Sequence, residues 1–305
     1  MRNRYIYLIL VVLAMVPWLL DNRYVFHIAT MITIMIPMAL SMNLMLKIGQ
    51  LSIAQPAFMG IGAYGSALLV MRLGMPPALA LLAGGVIATA IAVLVGPLFL
   101  RIKGVYFVLL TYAFGQIVNL VFQEWTSLFG GNNGLYGIPK LSIFGLRLTQ
   151  SPHYYVLGLL FLALFYALMR RIERSDIGAI YESLNENETL SRALGADALV
   201  WRIGTFALSA FIAGISGGIY AFYIGFLSPE TFGFLMSVDL IVVNAIGGVA
   251  SALGPVVGAI LILPLPELLR DAREYQLLIY GVCLVVFLLF FRKGLVVFLQ
   301  RRRRA

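Results

Sequence analysis

Residues 28–46 read IATMITIMIPMALSMNLML. None of them is charged, and the apolar side chains fall on every side of a helical wheel. A helix of a water-soluble domain keeps a polar face. A helix that is apolar all round and about twenty residues long instead matches the hydrocarbon thickness of a bilayer. The same texture recurs along the 305 residues: 61% are hydrophobic and 11% charged, where soluble domains carry about 25% charged residues. The alternating strands of an outer-membrane barrel, about ten residues each, are absent from the sequence. The pattern predicts an all-α, polytopic helical bundle of the inner membrane, with 1–305 as a single transmembrane domain.

Working outward from 28–46, the sequence predicts about ten membrane segments: 5–20, 25–46, 53–71, 77–100, 104–123, 153–169, 203–224, 235–247, 254–265 and 276–291. The eighth and ninth are short and are broken by the Gly-rich turn GGVASALGP (247–255). They read as a hairpin or a re-entrant pair. Non-helical backbone at membrane depth is tolerated only where protein or a water-filled cavity surrounds it, which makes such breaks pointers to a transport path. The start, MRNRYIYLILVVLAMVPWLL, has the look of a signal peptide. No small-residue cleavage site follows before Asp21, so it is read as the first span.

Basic residues orient the bundle, because cytoplasmic loops carry the excess of Lys and Arg. With both termini cytoplasmic, the inside set is Arg2, Arg4, Lys47, Arg101, Lys103, Arg170, Arg171, Arg174, Arg192, Arg202, Arg292, Lys293 and Arg301 to Arg304. The outside set is Arg23, Arg72, Lys140, Arg147, Arg270 and Arg273, a split of 16 to 6. The net charge of +9 is thereby assigned to membrane flanks and not to a nucleic-acid partner. Two hydrophilic connections result: a periplasmic loop at 124–152, rich in Gly and Asn-Asn-Gly turns, and a cytoplasmic loop at 170–202. The segments AFMGIGAYGSALL (57–69) and AFIAGISGGIYAF (210–222) look alike, either as traces of two transporter halves or by chance.

Much chemistry is missing. No GxxxxGK[ST] phosphate loop occurs, so the chain has no P-loop cradle for ATP. No HExxH or Cys/His cluster suggests a metal, and no GxSxG or Ser/Lys pair suggests a membrane hydrolase. The single Cys283 cannot form an intrachain disulfide. Asp239 is the one carboxylate well inside an expected span. It reads either as a charge stabilising a helix N-terminus or as a gate or substrate contact.

The polar stretch SLNENETLSRALG (183–195) carries helix punctuation. Ser183-x-x-Glu186 and Asn185-x-x-Glu188 both fit a capping box, Arg192 falls in a last turn, and Gly195 fits a C-terminal stop. The expected helix, near 186–194, is too short to be stable alone in water. It is either a solvated loop or a short helix that docks on another protein. The absence of an ATP site favours docking, because the energy source must then come from a partner.

The segment GAIYESLNENETLSRALGADALVWRIGTFALSAFIAGISGGIYA (178–221) resembles the cytoplasmic loop and following span of ABC importer permeases for branched-chain amino acids. NLMLKIGQLSIAQPAFMGIGAY (43–64) is similar to the family's G-Q-L-S-L-G-H-A-A-F-F-G-I-G-A-Y block. FGGNNGLYGIP (129–139) is similar to its outer T-G-G-x-x-G-L-x-G-I-P loop. IGGVASALGPVVGAILILPLPELLR (246–270) and YQLLIYGVCLVVFLLFFRKGL (275–295) resemble its C-terminal portion. The four blocks occur in the family's order.

The resemblance implies a permease without an ATP site or cofactor of its own. It would pair with a homologous second permease, two cytoplasmic ATPase subunits and a periplasmic substrate-binding protein, and work by alternating access. By residue match, Glu186, Asn187, Glu188, Arg192, Leu194 and Gly195 would form the ATPase-coupling segment. Candidates for the translocation path are Gln55, Pro56, Gln116, Asn119, Asp239 and Asn244. The chain departs from the family at Gln55-Pro56, where His-Ala is usual, at the loop Arg, where Asn185 and its neighbours stand, and at Ala250-Ser251. Related permeases serve urea and short amides, so the substrate class stays open between these and amino acids. An ion-coupled secondary transporter using Asp239, Asn244, Gln116 and Asn119 is the competing class.

Overall fold

The computed structural model describes residues 14–143, 146–186 and 197–269, with isolated positions at 275, 278, 279, 281, 282, 285 and 295. Nine helices of ten residues or more build the described part after helical residues 14–20. They are α1 (Arg23–Lys47), α2 (Gln55–Leu73), α3 (Pro77–Phe99), α4 (Val105–Glu124), α5 (Ser151–Glu173), α6 (Asp176–Glu186), α7 (Ala198–Ile224), α8 (Phe234–Gly247) and α9 (Leu253–Ile262). Seven helical stretches are long and apolar enough to cross a membrane, counting Pro229–Gly247 as one; Leu253–Glu267 is shorter. The expected spans 5–20 and 276–291 lie mostly outside the described residues, so seven is a count of the described part alone.

Local chemistry explains the helix ends. Asn22 caps α1, its side chain accepting the Tyr24 N–H at 2.9 Å. Within α1, hydroxyls of Thr30, Thr33 and Ser41 donate back to the carbonyls of Phe26, Thr30 and Met38, which satisfies them without water. Pro56 lies in the first turn of α2, where its missing N–H costs nothing. It therefore starts that helix. α7 begins five residues before the expected 203, because Asp197 caps it by accepting the Leu199 N–H at 2.9 Å.

The centre is a crossing of α2, α3 and α7. A Cβ placed on Gly62 would lie 2.3 Å from the Gly214 Cα, and one on Gly217 would lie 2.0 Å from the Met59 carbonyl. These contacts run antiparallel and bring the two similar segments, 57–69 and 210–222, face to face. Small residues at such a crossing let backbones approach where no hydrophobic effect separates helix from lipid. Fully buried Phe58, Phe206 and Phe222 fill the flanks.

α8 and α9 form a tight hairpin, with Gly247 against the Gly254 backbone and Gly258 against the Val243 carbonyl. The Gly-broken pair is thus two packed short helices. At 124–152 the chain makes one turn at Thr126–Phe129, a tighter turn at Gly131–Asn133, and strands β1 (Leu135–Tyr136), β2 (Ser142–Ile143) and β3 (Leu146–Arg147). β1 pairs antiparallel with β4 (Phe226–Leu227), placing Leu135 opposite Leu227, and β2 pairs with β3.

The capping reading of 183–186 is corrected. Ser183, Asn185 and Glu186 lie in the last turns of α6, and the Ser183 hydroxyl donates back to Ile180 O at 2.8 Å. These residues belong to a helix over Asp176–Glu186 that the sequence reading did not anticipate, with Asp176 in its first turn. Ile177, Tyr181 and Leu184 turn toward the bundle, the last two buried. Most of the expected helix 186–194 falls outside the described residues.

Candidate functional site

Two polar regions interrupt the apolar bundle. The first lies where α1, α5 and the α8–α9 turn meet. Glu173, on the last turn of α5, gathers three donors: Lys47 Nζ at 2.6 Å, Arg170 at 3.3 Å and the Ala252 backbone N–H at 2.6 Å. Lys47 and Glu173 are each less than one-sixth exposed, so this charge cluster is partly desolvated and stronger than a surface pair. The carboxylate ties the end of α1 and the end of α5 to the turn between α8 and α9.

α6 follows directly from this node. A cleft of about 570 Å³ opens beside it, walled by Lys47, Glu173 and Arg174 on one side and by Tyr181, Glu182, Asn185 and the 249–251 turn on the other. Tyr181 is buried and hydrogen-bonded to Thr205 of α7; burial pushes its hydroxyl above the usual tyrosine range, which the Thr205 bond partly offsets.

The second region is the non-helical connection 48–54 between α1 and α2. Gln50, Ser52 and Gln55 are buried there. Ile53 is held at both backbone groups: its N–H donates to Thr111 Oγ1 of α4 at 3.2 Å, and its carbonyl accepts from Ser237 Oγ of α8 at 3.0 Å. Buried backbone away from water must be paired, and here two neighbouring helices supply the partners.

The path candidates fall in different surroundings. Gln55 is fully buried, its amide 3.5 Å from Ser209 Oγ, and Pro56 is buried beside it. Asn119 donates to Pro229 O at 2.7 Å and accepts from Gln123 at 2.6 Å. Asn244 donates to Ala39 O and Leu240 O and accepts from Asn43 at 3.1 Å. Gln116 and Asp239 are half-buried.

The structure does not gather these residues into one cluster. Tyr112 of α4 meets Phe234 of α8 ring to ring at 5.3 Å, and the two helices run antiparallel. Gln116 lies one way from that contact and Asp239 the other, about 13 Å apart along the axes at 1.5 Å per residue. Asn244 is five residues beyond Asp239, farther again from Phe234, and bonded to α1. Gln116 and Asp239, two of the four groups nominated for ion coupling, are therefore set apart along the bundle.

Of the coupling candidates, Glu186 is exposed at the end of α6. Asn187, Glu188, Arg192, Leu194 and Gly195 lie outside the described residues. Sequence reasoning missed Glu173, Asn43, Thr111 and Ser237. Glu173 had a signal, a lone acid among Arg170, Arg171 and Arg174. Thr111 and Ser237 had none, because a hydroxyl bonded to backbone leaves no pattern.

At the opposite end, side chains staple the 135–148 connection to the end of α7. Lys140 Nζ donates to Tyr223 O at 2.6 Å, and burial pulls this lysine below its usual range. Tyr154 Oη accepts from Leu141 N and donates to Phe222 O. His27 Nδ1 lies 2.7 Å from Tyr223 Oη. Arg72 donates to Ser127 O, joining the end of α2 to the Thr126–Phe129 turn that follows α4.

A family model described as the permease component of the branched-chain amino acid transport system matches residues 24–288. The chain is similar to the high-affinity branched-chain amino acid transport system permease protein LivM of Salmonella typhimurium, with 31% identity over 292 residues covering 88% of this chain and 69% of that one. It is also similar to LivM of Escherichia coli K12, with 30% identity over 315 residues covering 95% and 74%. No solved structure matches the chain.

Proposed function

The chain belongs to the family of branched-chain amino acid transport system permease components, and from that premise we propose that it is the membrane permease subunit of an ATP-driven importer for branched-chain or other small amino acids. The observation that carries this reading is the family match over residues 24–288, joined to a sequence without a phosphate-binding loop. Energy then has to enter from separate cytoplasmic ATPase subunits. A homologous second permease would complete the channel, and a periplasmic binding protein would deliver substrate. The bundle would sit in the bacterial inner membrane with the Lys47 end cytoplasmic. Lys47, Arg101, Lys103 and the Arg170–Arg174 cluster support that orientation.

In this mechanism the loop 170–202 receives the ATPase, with Glu186, Asn187, Glu188, Arg192, Leu194 and Gly195 as the contact segment. α6 supports that role because it packs on the bundle through Tyr181 and Leu184 while leaving Glu182, Asn185 and Glu186 exposed. ATP-driven closure would bias the bundle between outward and inward states through differential contacts.

The test is to purify the tagged chain with its partners and measure leucine uptake in vesicles. We expect ATPase subunits to co-purify and uptake to require ATP. Uptake by the chain alone would overturn the reading. Glu188→Lys is expected to lower ATPase co-purification while leaving the permease inserted. Selective binding of urea or a short amide by the delivering protein would move the substrate class.

A further inference from the structure

Resting on the importer reading, we infer that the non-helical connection 48–54 is the strap that carries movement of the cytoplasmic loop into the bundle, with Thr111 and Ser237 as the positioning residues that clasp it. The route is continuous in contacts. Asn185, on the last turn of α6, sits directly over Gly49, and a Cβ on Gly49 would lie 2.7 Å from Asn185 Oδ1 and 3.4 Å from its Cα. Gly49 has φ +73°, a conformation that favours glycine. Any side chain there would therefore meet both backbone strain and the α6 helix.

Four residues farther on, both backbone groups of Ile53 are taken by helix hydroxyls. The Thr111 hydroxyl accepts from the Ile53 N–H and itself donates to Val108 O. The Ser237 hydroxyl donates to Ile53 O. Thr111 and Ser237 are both buried. α4 carries Gln116 and Asn119, and α8 carries Asp239 and Asn244, so the strap grips the two helices that bear four of the path candidates.

The strap is also freer to change shape than the two helices it joins. It lies between α1 and α2: the N–H groups of Ile48, Gly49 and Gln50 turn back to carbonyls of α1, and beyond them Ala54 N is held by the nearby Ser52 Oγ at 3.3 Å. A helix moves as a rod, whereas seven non-helical residues can switch between two arrangements. A coupling claim needs such an element, biased from both sites. Pushing α6 displaces Gly49, and Ile53 then pulls α4 and α8 together.

The experiment uses the assembled importer in vesicles, with Thr111→Val, Ser237→Ala and Thr111→Ser introduced separately. Basal ATP hydrolysis, leucine uptake and ATPase co-purification are measured on each. Thr111→Val keeps the side-chain shape and removes the hydroxyl. We expect it to retain co-purification and basal hydrolysis while leucine imported per ATP hydrolysed falls about tenfold, the scale of a typical allosteric coupling. Ser237→Ala should fall similarly, and Thr111→Ser should restore the wild-type ratio. A merely structural hydroxyl would lower abundance and leave the ratio unchanged. An unchanged ratio in both Thr111→Val and Ser237→Ala, or a Thr111→Ser variant as uncoupled as the valine, overturns the inference. A wild-type chain that recruits no ATPase overturns the importer reading on which it rests.

Discussion

The crossing at Gly62 and Gly214 and the node at Glu173 hold the bundle by opposite means. Among the described residues the crossing has no ion pair; backbones touch because glycine removes the side chains between them. The node is held by charge, with one carboxylate accepting from Lys47, Arg170 and the Ala252 N–H. Dispersion contacts at a glycine crossing have one good geometry and resist sliding. Charge-assisted bonds can be exchanged for others as parts move. The comparison teaches that the molecule is held by backbone packing at its waist and by charge at the rim that bears Lys47, and that rim is where α6 and the strap attach.

The sharpest way to break that contrast is at the waist. Gly62→Leu would force a Cβ onto the backbone of Gly214, where no flexible side chain can yield. We expect destabilisation of about 3 kcal/mol or more, beyond ordinary overpacking, read as loss of monodisperse protein and a lowered melting temperature. Gly62→Ala should already be costly.

At the rim the expected cost is smaller and the functional loss larger. Glu173→Gln keeps the shape but leaves Lys47 and Arg170 facing a neutral amide. A thermal melt in detergent should show a loss of about 1–3 kcal/mol, the range for unpairing a desolvated polar group. Leucine uptake should fall by much more than that loss of folded protein explains. Equal losses in stability and uptake would mean that Glu173 is only structural.

The smallest effect is expected at Asn244. It joins α8 to α1 through Asn43 and Ala39 O, and interhelical hydrogen bonds in membranes average only about 0.6 kcal/mol. An Asn43→Ala, Asn244→Ala double-mutant cycle should return a coupling energy of that order with uptake retained. A collapse of uptake without a stability change would move Asn244 from packing to the path.

Seven of the expected spans were legible because length and hydropathy alone decide whether a helix can cross a bilayer. IATMITIMIPMALSMNLML landed within α1, and the Gly-rich turn at 247–255 separated α8 from α9 as expected. α6 was missed for a physical reason. Ser183 and Asn185 are good caps in isolation, but the helix was already running from Asp176, with Ile177, Tyr181 and Leu184 on its inner face. That i, i+4, i+7 spacing was present in the sequence and was outweighed by the surrounding polar residues. The strap was hidden for a different reason. GQLSIA reads as a span boundary, and only three-dimensional contacts show Ile53 clasped by hydroxyls from helices far along the chain. Asn119 and Asn244 were legible as intramembrane polar groups, and their bonding to neighbouring backbone could not be read from spacing.

The α8–α9 hairpin has a consequence for how the protein is made. Ten helical residues of α9 rise only about 15 Å, half the hydrocarbon thickness. During synthesis such a segment gains little by leaving the insertion machinery on its own. Its glycine face is matched only by α8, which implies that the two enter the lipid together as one folded unit. In an insertion assay, residues 253–262 tested alone should fail to integrate, and 234–262 should succeed.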